Sequence, residues 1–181
     1  MTTRPPDHQL NPLLPVEIER KYLLRGMPEL PKDQGIEVWR IEQGYLPAIR
    51  GEAQAKIRPF DEGRLRRLTR EDGSVQYYHT IKRGTGLVRH EFEIEITPEQ
   101  FNEYWPRTTG MRLRKTRLCV PDGSLVWEID VFDGIDLVLA EIELPRRDTV
   151  ITIPSWLSPH VVREVTEEPA YTNSSIARRL A

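Results

Sequence analysis

Charged side chains recur at every second position through much of this chain, with apolar residues between them. The pattern starts at Glu17-Ile18-Glu19-Arg20-Lys21 and ends at Glu141-Ile142-Glu143. In a strand successive side chains point to opposite faces, so each stretch carries a charged face and a largely apolar one. Alternation of this kind predicts strands over 16–24, 37–46, 63–70, 75–82, 89–96, 111–120, 125–132 and 137–144. Asp72-Gly73, Asp122-Gly123 and Asp133-Gly134 lie between consecutive runs and supply the positive φ of tight hairpin turns, so the neighbours are antiparallel. Eight such runs predict a closed sheet.

Helical signals are fewer. Thr97-Pro98-Glu99-Gln100 combines an N-cap, a first-turn proline and a Gln at the third helical position, predicting a short helix over 98–105 that Pro106 breaks. Further short helices are expected over 154–163, 174–180 and 51–59. The prolines at 5, 6, 12 and 15 make residues 1–14 a flexible arm, leaving 15–181 as one domain.

Collecting many ionisable groups on one side of a sheet costs desolvation unless ions or water fill the space between them, so the charged faces imply a ligand. Composition agrees: of 181 residues only 38% are apolar and 30% are charged, as expected if part of the sheet faces a polar cavity. The net charge of -2 gives no basic footprint for nucleic acid. No apolar run is long enough for a membrane span, and 1–15 lacks the apolar centre of a signal peptide. The lone Cys119 excludes an internal disulfide and any cysteine-based zinc site. A cytoplasmic protein, monomer or homodimer, is expected.

Glu17 and Glu19 side by side on one strand face can ligate a hard divalent cation, and Lys21, next in line, can hold a phosphate oxygen. In 89–96, Arg89, Glu91, Glu93 and Glu95 share one face, with Phe92, Ile94 and Ile96 on the other. Like charges about 7 Å apart repel, increasingly so in a confined space unless cations intervene. The same reading applies to Lys115 with Arg117, Glu128 with Asp130, and Glu141 with Glu143. Taken singly, such a triplet is also what a solvated strand face looks like. Together, the carboxylates and the bases Lys21, Arg64, Arg66, Lys82, Arg89, Lys115 and Arg117 suit a polyanion that arrives with Mg²⁺ or Mn²⁺, above all a polyphosphate.

Eight motifs in order carry a resemblance. They are Glu-x-Glu-x-Lys at Glu17, Gln43-Gly44-Tyr45-Leu46, Thr80-Ile81-Lys82, Arg89-His90-Glu91-Phe92-Glu93, Lys115-Thr116-Arg117, Glu128-Ile129-Asp130-Val131-Phe132, Glu141-Ile142-Glu143 and Glu164-Val165-Thr166. In this series the chain resembles the CYTH, or triphosphate tunnel metalloenzyme, family. The resemblance implies an α+β, mainly β, fold: an eight-stranded antiparallel β-barrel forming a tunnel, with a few short helices packed outside. It implies divalent-metal-dependent hydrolysis of inorganic triphosphate to pyrophosphate and phosphate, as in the small bacterial inorganic triphosphatases.

In that family reading Lys82 and Tyr45 form the catalytic pair, with Lys82 kept partly neutral by neighbouring cations. Lys21, Arg64, Arg66, Arg89, Lys115 and Arg117 hold the substrate, and Glu17, Glu19, Glu91, Glu93, Asp130, Glu141 and Glu143 hold metal. The arginine pair before the Lys82 strand fits at Arg64 and Arg66 or shifted toward Arg70; the first placement is preferred. An adenylate cyclase, a thiamine or nucleoside triphosphatase of the same fold, and a non-catalytic polyphosphate-binding module are the other readings.

Several conspicuous residues have plainer explanations. His79 and His90 alternate away from the charged faces, Cys119 reads as a core residue, and Trp39, Trp105, Trp127 and Trp156 read as packing residues under helices, the alternative for any one of them being a place at a tunnel mouth, stacked on an organic substrate. The tail from Tyr171 to Ala181 either caps one end of the barrel or packs against its outside.

Overall fold

The computed structural model describes residues 16–32, 35–47, 60–84 and 86–181. The arm expected over 1–14 and the helix expected over 51–59 lie outside the described residues. Among the described residues nine strands form one sheet: β1 (Val16–Leu24), β2 (Glu37–Leu46), β3 (Gly63–Arg70), β4 (Val75–Arg83), β5 (Val88–Glu95), β6 (Arg112–Asp122), β7 (Leu125–Phe132), β8 (Val138–Glu143) and β9 (Val161–Glu164). The order is β5-β4-β3-β2-β6-β7-β8-β1-β9, and β5 also pairs with β1, which closes the first eight strands into an antiparallel barrel. Closure leaves no long unpaired edge. It is made by three residue pairs, Val16 with His90, Glu17 with Arg89 and Ile18 with Val88.

The alternation decides what faces where. Outward-facing Tyr22, Leu24, Val120, Trp127, Ile129, Ala140 and Ile142 form a core between the β6-β7-β8-β1 wall and the segment carrying Ile151, Ile153, Trp156 and Leu157. Trp127, Ile129 and Ile142 are almost wholly removed from water, and each such side chain contributes about 1.5–3 kcal/mol by burial. Helix α1 (Pro98–Tyr104) covers the opposite wall, with Phe101 and Ile96 packed against Leu46 and Leu65. Thr97 accepts from the Gln100 backbone and the Gln100 side chain accepts from the Thr97 backbone, the reciprocal cap that the sequence predicts. Pro106 ends the α-helix but not the helical path, because Trp105–Thr108 continues as a 3₁₀ turn with the proline in its first turn.

A third apolar cluster has another origin. Leu23, Leu113, Phe132 and Leu139 share the inward parity of the charged residues, yet they pack with Ile176, Ala177 and Leu180 of the helix α2 (Asn173–Arg179) and its end. The tail therefore covers one end of the lumen. Thr172 caps α2 by accepting from the Ser175 backbone.

One expected element is replaced. Residues 154–163 form turns, a 3₁₀ turn at Ser158–His160 and then β9, which pairs with β1 at Tyr22, Leu23 and Leu24. Pro154 and Pro159 interrupt helical bonding, and Val161-Val162 favours extended backbone. The free edge of β1 beyond its short pairing with β5 gives that segment a partner. Among the described residues no helix is long and apolar enough to cross a membrane.

Gly44 shows how tightly the outer layer sits on β2. A Cβ there would lie 2.5 Å from Thr108 Oγ1 and 2.6 Å from Thr108 Cβ. Thr108 cannot swing aside: it is fully buried, donates to the Trp105 carbonyl at 2.8 Å and accepts from Arg112 Nε at 2.8 Å. Gly44→Ala is expected to lower stability by about 1–3 kcal/mol through overpacking. The measurement is the urea unfolding midpoint, and an unchanged midpoint would show that the 3₁₀ turn yields freely.

Candidate active site

The inward faces enclose a cavity of about 780 Å³ whose wall includes Glu17, Glu19, Lys21, Gln43, Tyr45, Arg64, Arg66, Thr80, Lys82, Arg89, Glu91, Glu93, Lys115, Arg117, Glu128, Glu141 and Glu143. Residues directly opposite on antiparallel strands share a face, so the ladder register sets the neighbours. It places Glu17 opposite Arg89, Glu19 opposite Glu143 and Lys21 opposite Glu141. On the other side it sets Lys82 against Glu91, Thr80 against Glu93 and Arg64 against both Tyr45 and Thr80.

Two ionic clusters result, joined where Lys21 lies 3.4 Å from Glu19. In the first, Lys82 Nζ donates to both Glu17 oxygens at 2.8 and 2.9 Å and pairs with Glu91 at 2.8 Å. Arg89 reaches Glu17 at 3.2 Å and Glu19 at 3.1 Å. Glu93 accepts from Arg66 at 2.8 Å, Arg64 at 3.2 Å and the Thr80 hydroxyl at 2.5 Å. Burial opposes ionisation of Glu93, but Arg66, Thr80 and Arg64 outweigh it and hold its carboxyl below the usual range.

The second network is drier. Asp130, with no exposed surface, accepts from Arg117 at 2.7 Å through each oxygen and from Lys115. Arg117 also donates to Glu141 at 2.7 Å and to Glu128, and Glu141 pairs with Lys21 at 2.6 Å. Burial works against the charge on Lys21, yet Glu141 and Glu19 more than compensate and raise its pKa. Glu141 is likewise penalised by burial but held well below the usual carboxylate range by Lys21, Lys115 and Arg117. Lys115 goes the other way: burial and then Arg117 lower its pKa, with Asp130 only partly offsetting them.

Donors and acceptors are not matched everywhere. The Nε atoms of Arg64, Arg66 and Arg89 are buried without a hydrogen-bond partner. Burial and the neighbouring Arg64 push the Arg66 pKa down to about 10. A cluster of cations with free buried donors is costly when empty and suits an anion with several oxygens. Conversely, burial and then Glu17, Glu91 and Glu19 push the Glu143 carboxyl up, marking the place where negative charge is in excess. Among the described residues no three acidic, His or Cys side chains converge as a finished metal cage. A small hard cation such as Mg²⁺ is commonly held by one or two carboxylates together with substrate phosphates and water, a donor set that needs no such cage.

Arg64 and Arg66 line the cavity, whereas Arg70, of the same parity, lies over the Trp39 ring and bonds Gln76. Every other expected site residue lines the cavity except Asp130, which lies beneath Lys115 and Arg117 and is reached only by displacing them. Glu95, on the same face as Glu93, is exposed beyond the cavity.

The neighbours of Lys82 also differ from the family reading. They are the carboxylates of Glu17 and Glu91, not cations. No hydrogen bond joins Lys82 to Tyr45, whose hydroxyl takes one from Gln43 Nε2 at 2.8 Å. Burial pushes the Tyr45 pKa up to about 12, so the phenol stays protonated. Gln43 and Thr80 line the wall without having been given a role, although each has the inward parity of a residue that was; Glu128, read as half of a charged pair with Asp130 but given no ligand, lines it too. Trp39 lines the wall instead of packing under a helix. Cys119 is buried as expected, but on the inward face beside Arg117. His79 lies on the outer face, with its Nε2 2.8 Å from the Glu62 carbonyl and its ring 4.7 Å from that of Phe60.

No family model matches the chain. The inorganic triphosphatase of Nitrosomonas europaea is 36% identical over 167 residues, covering 89% of this chain and 96% of that protein. The inorganic triphosphatase of Acetivibrio thermocellus is 30% identical over 166 residues, covering 90% of this chain and 93% of its own. The crystal structure of the inorganic triphosphatase NE1496 superposes with a TM-score of 0.55 at 31% identity, covering 90% of this chain and 94% of that one. With like length, like barrel and this level of identity, the chain belongs to the inorganic triphosphatase family.

Proposed function

We propose that this protein hydrolyses inorganic triphosphate to pyrophosphate and phosphate inside the barrel, with Mg²⁺ or Mn²⁺ as cofactor. The observation that carries this reading is the set of buried, unpartnered Nε donors of Arg64, Arg66 and Arg89 beside an excess of carboxylates. Phosphoryl transfer asks the protein for positioning and charge neutralisation more than for covalent chemistry. Lys21, Arg64, Arg66, Arg89, Lys115 and Arg117 hold the phosphate oxygens, the guanidinium groups by paired donors. Asp130 acts indirectly, fixing Lys115 and Arg117 against the wall.

Phosphate oxygens compete with Glu17, Glu19, Glu91 and Glu93 for the same bases and release those carboxylates. Glu17, Glu19, Glu91 and Glu143 would hold the metal where negative charge already crowds, with Glu93 and Glu141 as further oxygen donors at its margin. The cation supplies neutralisation of charge on the phosphoryl oxygens. Lys82, once released by Glu17 and Glu91 and flanked by bases, sheds its proton and in its neutral form accepts one from the attacking water. The oxygen of that water bonds to the terminal phosphorus as the P–O bond to the pyrophosphate leaving group breaks. The protonated Tyr45 hydroxyl orients the water by donating a hydrogen bond to it.

The test is phosphate release from tripolyphosphate under each metal and under chelation, with ATP and thiamine triphosphate as comparators. Metal-dependent release of phosphate and pyrophosphate is expected. No release from tripolyphosphate above buffer under either metal, or a cyclic nucleotide formed from ATP, would overturn the reading.

A further inference from the structure

The lumen does not end with the bases. A second cavity, about 620 Å³, shares Trp39, Glu128 and Glu143 with the first. Its walls include Glu37, Cys119, Pro121 and Val126, all of inward parity on their strands, so it is the continuation of the lumen and not an outer groove. Its chemistry changes sharply. Among the described residues the charged ones lining it are Glu37, Glu128 and Glu143, with no Lys or Arg; Glu128 is paired with Arg117, and the rest of the wall is largely apolar. Glu37 is exposed and takes a hydrogen bond from Trp39 Nε1 at 2.9 Å, and no base pairs with it among the described ion pairs. At the other end, α2 and the inward Leu23, Leu113, Phe132 and Leu139 close the barrel with apolar packing.

Resting on the triphosphate reading, we infer that this acidic vestibule sets substrate length: it excludes polyphosphate chains longer than the basic zone accommodates, with Glu37 as a specificity-determining residue at its rim. A chain seated on the bases has two directions in which to grow. One meets the apolar underside of α2, which offers no donor to a phosphate. The other meets apolar walls and, at the rim, Glu37, where an added phosphate gives up hydration and gains repulsion. Phosphate groups beyond the basic zone therefore lose affinity instead of adding it.

The experiment compares kcat/KM for tripolyphosphate and for long-chain polyphosphate in the wild type, Glu37→Gln and Glu37→Lys, with calorimetric affinities for the same two ligands. Glu37 touches neither base network, so tripolyphosphate turnover is expected to be unchanged in all three. The wild type should favour tripolyphosphate. The preference should narrow by roughly three- to tenfold in Glu37→Lys and by less in Glu37→Gln, the size expected for a partly screened charge at a rim. Equal preference in the wild type, or a preference unmoved by Glu37→Lys, would overturn the inference. If no polyphosphate is turned over, the hydrolytic reading fails, and the ratio of the two affinities, narrowed or unmoved by Glu37→Lys, still decides this one.

Discussion

Replacing Lys82 by alanine is expected to lower kcat for tripolyphosphate by roughly two to four orders of magnitude, the usual contribution of a positioned proton-transferring group. The fold should not suffer. The Lys82 side chain keeps 29% of its surface exposed, and its partners retain other bases: Glu17 keeps Arg89 at 3.2 Å and Glu91 keeps Arg64 at 3.8 Å. Stability should therefore change by no more than about 1 kcal/mol, as for a partly exposed ion pair. What is lost is the amine positioned to act on water. Lys82→Arg separates the possibilities, because arginine keeps the positive charge but does not give up its proton near neutral pH. Activity restored by arginine would make Lys82 an electrostatic group only. Retention of kcat within about threefold in Lys82→Ala would remove it from the reaction altogether.

The barrel was legible because alternation is a property of neighbouring residues. All eight predicted strands are present, and 16–24, 37–46, 63–70 and 125–132 carry their predicted bounds, since charge on one face and apolar residues on the other leave only one register that buries the apolar set. Strand β9 was missed in part: Pro159 and Val161-Val162 argue locally against a helix, but the partner that makes Val161–Glu164 a strand is a free stretch of β1 more than a hundred residues away in sequence. The same limit governs the site. Parity predicted which residues face inward, and the resemblance named their roles, but distance around the barrel was invisible. Asp130 has the right parity and still lies beneath two bases, and Lys82 meets carboxylates because β1 and β5 close beside it. The reverse case is Leu113 with Phe132 and Leu139. These apolar residues on a charged face look like exceptions until α2 is seen to rest on them.

Asp130→Ala is expected to be the most damaging single change to the fold, costing about 3–5 kcal/mol, the range found when one partner of a buried ion pair is removed. Asp130 is completely buried, and its loss leaves Lys115, itself nearly without exposed surface, with no partnered carboxylate, while Arg117 retains Glu128 and Glu141. A like substitution at Glu42 provides the contrast. Glu42 pairs with Arg67 and Arg114, whose side chains are 43% and 71% exposed, and Glu42→Ala should cost no more than about 1 kcal/mol. The pH dependence gives a second reading. Burial and Arg117 already lower the Lys115 pKa below 10.5, and losing Asp130 removes the main group opposing them. Between the folded and unfolded pKa values of Lys115 the unfolded chain binds the extra proton, so the deficit of the variant should shrink as pH rises toward the unfolded value. Urea midpoints of Asp130→Ala, Glu42→Ala and wild type, taken from neutral pH upward, check both points. A shift at Asp130 no larger than that at Glu42, or a deficit that grows with pH, would show that the buried network does not hold this wall of the barrel in place.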